Sequence, residues 1–158
     1  MRRYLEAADF VHEDTTDFTS APEDEYVTAG ILLAGEIGCR GRIVIAVRKF
    51  LEIVEPSDGD AVVETRIYRY NVSIRGSGNI FRYDNGHPHT LYPDHHDPHH
   101  KHLFDWQTGE ELPDSPVWVG RDRWPHLSGV IDEARDWYLS NRSALPYPDA
   151  FPELNLRD

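Results

Sequence analysis

Residues 66–84 read Arg66-Ile67-Tyr68-Arg69-Tyr70-Asn71-Val72-Ser73-Ile74-Arg75-Gly76-Ser77-Gly78-Asn79-Ile80-Phe81-Arg82-Tyr83-Asp84. Arg66, Tyr68, Tyr70, Val72 and Ile74 fall on one parity, and Ile67, Arg69, Asn71, Ser73 and Arg75 on the other. A period of two marks a strand, because successive side chains of a pleated chain point to opposite faces. Extended back to Ala61, this is the longest strand candidate in the chain. The glycines in Arg75-Gly76-Ser77-Gly78-Asn79 suit a hairpin loop, and Asn79–Asp84 returns as the next strand. So short a connection requires antiparallel pairing, since a parallel crossover needs a dozen or more residues.

Moving outward, Ile31–Ile37, Arg42–Val47 and Leu51–Glu55 are short runs rich in β-branched residues and read as strands. Ser57-Asp58-Gly59-Asp60 is a turn signal. His100–Trp106 supplies one more strand. Near the start, Tyr4, Leu5, Ala8 and Val11 have helical spacing, which predicts a short helix over 3–12. Thr15 to Glu25 is polar, acidic and contains Pro22, and reads as a loop. Leu127, Val130, Ile131, Ala134, Trp137 and Tyr138 line one stripe of a helix, with Ser128 as its expected N-cap. Pro146, Pro148 and Pro152 predict an extended tail. The expectation is an α+β fold. It comprises a curved antiparallel β-meander of about five to six strands, with an N-terminal and a C-terminal helix packed on one face. A single domain spans 1–158, with a sheet core over 26–106 and the helix and Pro-rich tail over 107–158.

The 158 residues carry a formal net charge of −12, distributed unevenly. Residues 1–36 hold −7, residues 37–102 hold +1, and residues 103–158 hold −6. The acidity excludes a uniformly basic nucleic-acid binder, but leaves room for a local anion site in the centre. Two acid-free stretches, 38–49 and 66–82, carry Arg40, Arg42, Arg48, Lys49, Arg66, Arg69, Arg75 and Arg82. The longest aliphatic run, Ile31–Ala34, is far too short for a membrane span. Glu6 and Asp9 interrupt any secretory signal after Arg2 and Arg3, so a cytoplasmic protein is expected. The lone Cys39 precludes an internal disulfide, and reads as a buried structural thiol.

Seven of nine histidines lie between residues 87 and 102. Three chemistries compete for them. As a metal site, His87/His89 and His100/His102 form His-x-His pairs that suit zinc or another divalent ion, with aspartates nearby. As a metal-free phosphodiesterase, His100 and His102 would move protons, because an imidazole titrates near the working pH. Arg82 and Lys101 would meet the charged transition state, and Asp84 would orient a histidine. As structure, Asp84-Asn85-Gly86 would be a turn, and His95 and His96 part of a solvated loop. Tyr70 and Arg69 read more simply as sheet packing and a solvated strand face. Glu55 shares a parity with Ile53 and Leu51, which would turn it inward.

One combination is more specific than its parts. Tyr68-Arg69-Tyr70, a glycine hairpin, Ile80-Phe81-Arg82-Tyr83-Asp84-Asn85, then Pro98-His99-His100-Lys101-His102 resembles the TumE-like toxins of prokaryotic toxin–antitoxin modules. Arg40-Gly41-Arg42 and Leu51–Glu55 are similar to that family's upstream strands, although Val47-Arg48-Lys49-Phe50 stands where an Asp-Gly-Ser turn is usual. The resemblance implies a toxin acting on RNA, with no cofactor required. It also implies a helix-turn-helix DNA-binding antitoxin as partner. By position it implicates Asp84, Asn85, His100, Lys101 and His102, with Arg82, Tyr70 and Glu55 as companions. The residues expected on the substrate side are Asn85, Tyr70, Arg69 and Glu55.

Overall fold

The computed structural model describes residues 9–21, 29–55, 59–86 and 98–155. Eight strands form one sheet: β1 (Val11–Asp14), β2 (Asp17–Ala21), β3 (Gly30–Cys39), β4 (Ile43–Val54), β5 (Val62–Ile74), β6 (Asn79–Asp84), β7 (His100–Leu103) and β8 (Val117–Trp118). From β3 to β8 the strands pair with their sequence neighbours, and every pairing is antiparallel. β1 and β2 both pair with β3 and together form its outer neighbour. Their break lies opposite Gly35, where a Cβ would meet Thr15 O and Thr16 Cα at 2.6 Å. Only glycine admits that close approach of two backbones.

The period-two reading holds. Tyr68, Tyr70, Val72 and Ile74 are all buried, while Ile67 and Arg69 are exposed. The rung Ile37–Ile45–Val72–Phe81–Leu103 crosses five strands on the buried face. Against it lies α1 (Leu127–Asn141), which buries Val130, Ala134 and Tyr138 at four-residue intervals. Each fully buried Ile or Val contributes about 1.5–3 kcal/mol. Gly41 links β3 to β4 at φ +78, and its Cα sits beneath Tyr138 and Leu145. Tyr83 Oη donates to Glu133 at 2.7 Å, and Lys101 pairs with the same carboxylate, so the helix is also tied by charge. Cys39 is fully buried, and burial pushes its thiol up to about 12.

Several expectations require correction. The sheet has eight strands instead of five or six. The helix over 3–12 falls partly outside the described residues, and its end is strand: Val11 pairs with Cys39 in β1. Helical spacing of four apolar residues is too weak to outweigh an open sheet edge. The predicted loop after Thr15 contains β2, a polar edge strand whose stability comes from backbone pairing and not from burial. Arg42–Val47 and Leu51–Glu55 are one continuous β4, bent by a register shift at Phe50/Leu51. The strand at His100 ends at Leu103 instead of Trp106, where Asp105 Oδ1 accepts from Gln107 N at 2.9 Å and turns the chain. His126, not Ser128, is the N-cap of α1. Glu55 is exposed beyond the end of β4.

Candidate functional site on the open face of the sheet

The pairing of β6 with β7 builds the site. Arg82 stands opposite His102 and Asp84 opposite His100. Directly opposed residues share a face, and so do alternate residues of one strand. Arg82, Asp84, His100 and His102 therefore converge on the face away from α1. Asp84, His100 and His102 are each at most 3% exposed.

Asp84 is the hub. Its Oδ1 lies 2.8 Å from His100 Nε2 and accepts Gly86 N at 3.3 Å. Its Oδ2 accepts Arg82 Nε at 2.9 Å and lies 3.9 Å from His102 Nε2. Burial alone would raise the Asp84 carboxyl; the hydrogen bond and charge of His100, then Arg82 and Gly86, outweigh it and hold the group well below the usual carboxylate range. His100 Nδ1 contacts Pro98 O at 2.7 Å, so both of its ring nitrogens face internal oxygens.

His102 is held differently. Its Nδ1 contacts Glu111 Oε1 at 2.5 Å, leaving Nε2 turned toward Asp84. Glu111 also accepts Ser115 Oγ at 2.5 Å, and Ser115 Oγ in turn accepts Leu103 N at 2.9 Å. Burial opposes ionisation of Glu111, but the bonds from Ser115 and His102 prevail and lower it. A carboxylate on Nδ1 draws the proton to that nitrogen, the arrangement in which Nε2 can act as a base. Trp118 packs edge-on against His100 at 5.6 Å, and Phe104 stacks on His102 at 6.2 Å.

The donor atoms of Asp84, His100 and His102 lie within 4.8 Å of one another, so two imidazoles and a carboxylate could hold a divalent ion. Ligands on tetrahedral zinc sit about 3.3 Å apart, given bonds of ~2.0–2.1 Å. Metal entry would thus open the 2.8 Å Asp84–His100 contact slightly. His87 and His89 lie outside the described residues, as do His95 and His96.

The other expected residues are dispersed. Lys101 alternates to the helix side, with its ammonium 4.8 Å from the Phe81 ring centre. Tyr70 is on that same buried face, where burial pushes its hydroxyl up to about 12. Asn85 staples strands: its Oδ1 accepts Tyr68 N at 2.9 Å and its Nδ2 donates to Arg66 O at 2.8 Å. Arg69 is exposed on the open face, opposite Asp84. Glu111 and Ser115 were not legible as site residues. A turn over 105–110 folds them back, and the spacing of His102 and Glu111 carries no motif.

A family model described as Toxin TumE matches residues 1–119. The match includes the whole Asp84–Trp118 site and stops before α1. No curated protein and no solved structure matches the chain.

Proposed function

Given that the chain belongs to the TumE toxin family, and so is the toxin of a toxin–antitoxin module, we propose that it arrests growth by cleaving RNA at the Asp84 cluster. The observation that carries this reading is the single buried carboxylate shared by His100, His102 and Arg82. In the proposed reaction a 2′-hydroxyl attacks the adjacent phosphorus and the bond to the 5′-oxygen breaks. The hydroxyl proton passes to His102 Nε2. His102 then gives that proton to the leaving 5′-oxygen, while His100, with both ring nitrogens on internal oxygens, holds Asp84 in place. Arg82 meets the developing negative charge; with 23% of its side chain exposed, it is the part of the cluster open to solvent. The products are a 2′,3′-cyclic phosphate and a 5′-hydroxyl.

The test is induced expression in cells, followed by analysis of RNA ends. Growth arrest with 5′-hydroxyl fragments is the expected result, and His102→Ala should lower cleavage by ~10²–10⁴-fold. Arrest with an intact RNA pool would sink the proposal.

A second reading rests on the close approach of three donor atoms: a metal-dependent hydrolase using Asp84, His100 and His102. It predicts a stoichiometric divalent ion in untagged protein and loss of activity with chelator. The antitoxin is proposed to be a helix-turn-helix DNA-binding protein whose basic surface faces the acidic terminal segments, and the site of action is proposed to be the cytoplasm. Among the described residues no helix is long and apolar enough to cross a membrane.

A further inference from the structure

Arg48 and Arg69 are direct register partners of β4 and β5, and both are exposed. Like charges placed directly opposite each other across a ladder repel. Among the described residues, neither guanidinium has an acidic partner within salt-bridge distance; Arg42, Arg121 and Arg123 share that lack but do not face another arginine across a ladder, and Arg40, Arg66, Arg75, Arg82, Arg135 and Arg142 are all paired. In a chain of net charge −12, an unneutralised arginine pair is conspicuous for lack of a folding reason. Its place in the sheet supplies another. The rung Arg48–Arg69–Asp84–His100–Trp118 runs across five strands on one face. Strands are ~4.8 Å apart, so Arg69 begins one strand from Asp84 and Arg48 two strands away.

We infer that Arg48 and Arg69 form a subsite for the phosphodiester backbone of single-stranded RNA, which crosses the strands on its way to the Asp84 cluster. The inference rests on the RNA reading above. Guanidinium groups suit phosphate because their planar fork donates two hydrogen bonds at once. Two adjacent forks on an open face match a chain of successive phosphates. The pair holds substrate beside the reacting bond and takes no part in proton transfer.

The probe is a fluorescent 2′-O-methyl oligonucleotide of about 20 nucleotides, which the proposed chemistry cannot cut. Its affinity for the full-length protein is measured by anisotropy over a salt series. The double variant Arg48→Ala with Arg69→Ala should bind at least ~10-fold more weakly at low salt. Its log K against log salt slope should flatten by about 1.4, from two lost phosphate contacts at ~0.7 each. Arg135→Ala with Arg142→Ala makes the same charge change on α1 and at its C-cap, and should leave both quantities unchanged. Each single alanine at 48 or 69 should be at least as stable as the parent, since repulsion is relieved. Equal weakening by the helix pair, or none by the sheet pair, overturns the subsite. So does poly-glutamate competing as well as RNA at equal charge, which would make the pair a contact for an acidic protein segment. Cleavage separates the two claims. If the parent binds the oligonucleotide through these arginines but cuts no RNA, the reaction falls and the subsite stands. If the parent cuts RNA and the double variant binds and cuts equally well, the subsite falls and the reaction stands.

Discussion

Asp84 Oδ1 lies 2.8 Å from His100 Nε2 across the β6–β7 ladder, and neither residue is more than 2% exposed. A carboxylate this buried is stable only if compensated, and the compensation comes from the neighbouring strand. Sheet integrity and site chemistry therefore depend on the same contact.

Asp84→Asn keeps the shape and removes the charge, leaving Arg82 and His100 without their shared counter-ion. Breaking a buried pair from one side costs about 3–5 kcal/mol. Urea unfolding should show a loss of that order together with loss of RNA cleavage. A variant as stable as the parent would mean the pair contributes nothing to folding.

Glu111→Gln should lower kcat for RNA cleavage while leaving KM nearly constant, because Glu111 acts on the tautomer of His102 and touches no substrate. The loss should be smaller than that of His102→Ala. Ser115→Ala should act in the same direction more weakly, since it only holds Glu111. A larger effect on KM than on kcat would relocate Glu111 to substrate binding.

Stability should fall at both ends of the pH scale. Asp84 is held below its ordinary value in the folded chain, so its stabilisation is present above about pH 4 and is lost as pH falls toward the native value. Tyr70 and Cys39 are each pushed up to about 12. The unfolded chain releases those protons first, so that contribution is present below about pH 9 and is lost as pH rises toward 12. Urea midpoints at pH 3, 5, 7 and 10 provide the measurement, and Asp84→Asn should flatten the acid limb alone.

Gly41→Ala should lower the melting temperature by several degrees. The left-handed conformation at φ +78 costs a Cβ-bearing residue about 1–2 kcal/mol, and the new methyl would also press on Tyr138 and Leu145 at 3.0 Å. Gly109 has a similar φ of +77 with nothing within 4 Å of an added Cβ. Gly109→Ala should therefore lose less, and the difference between the two variants reports the contact with α1.

The strands from β3 to β6 were legible because one face of each is buried, which imposes alternation that survives in the sequence: Tyr68, Tyr70, Val72 and Ile74 needed no tertiary information. The C-terminal helix was legible for the same reason at a period of 3.6, and it buries Val130, Ala134 and Tyr138. β1 and β2 were not, because edge strands with solvated side chains carry no alternation to read. Nor was the continuity of β4, since Arg48-Lys49-Phe50 resembles a break by composition, while its backbone is satisfied on both sides by β3 and β5.

By itself the sequence determined the meander, the residue types and the parity that separates Lys101 from His100 and His102. It also carried the family, whose model spans residues 1–119. Only the tertiary structure decided which charged groups meet. Parity assigns a side chain to a face, but strand register and loop closure decide its neighbours. That is why Asp84 faces two imidazoles, Glu111 returns to His102, Tyr70 is confined to the core, and Arg48 comes to stand beside Arg69.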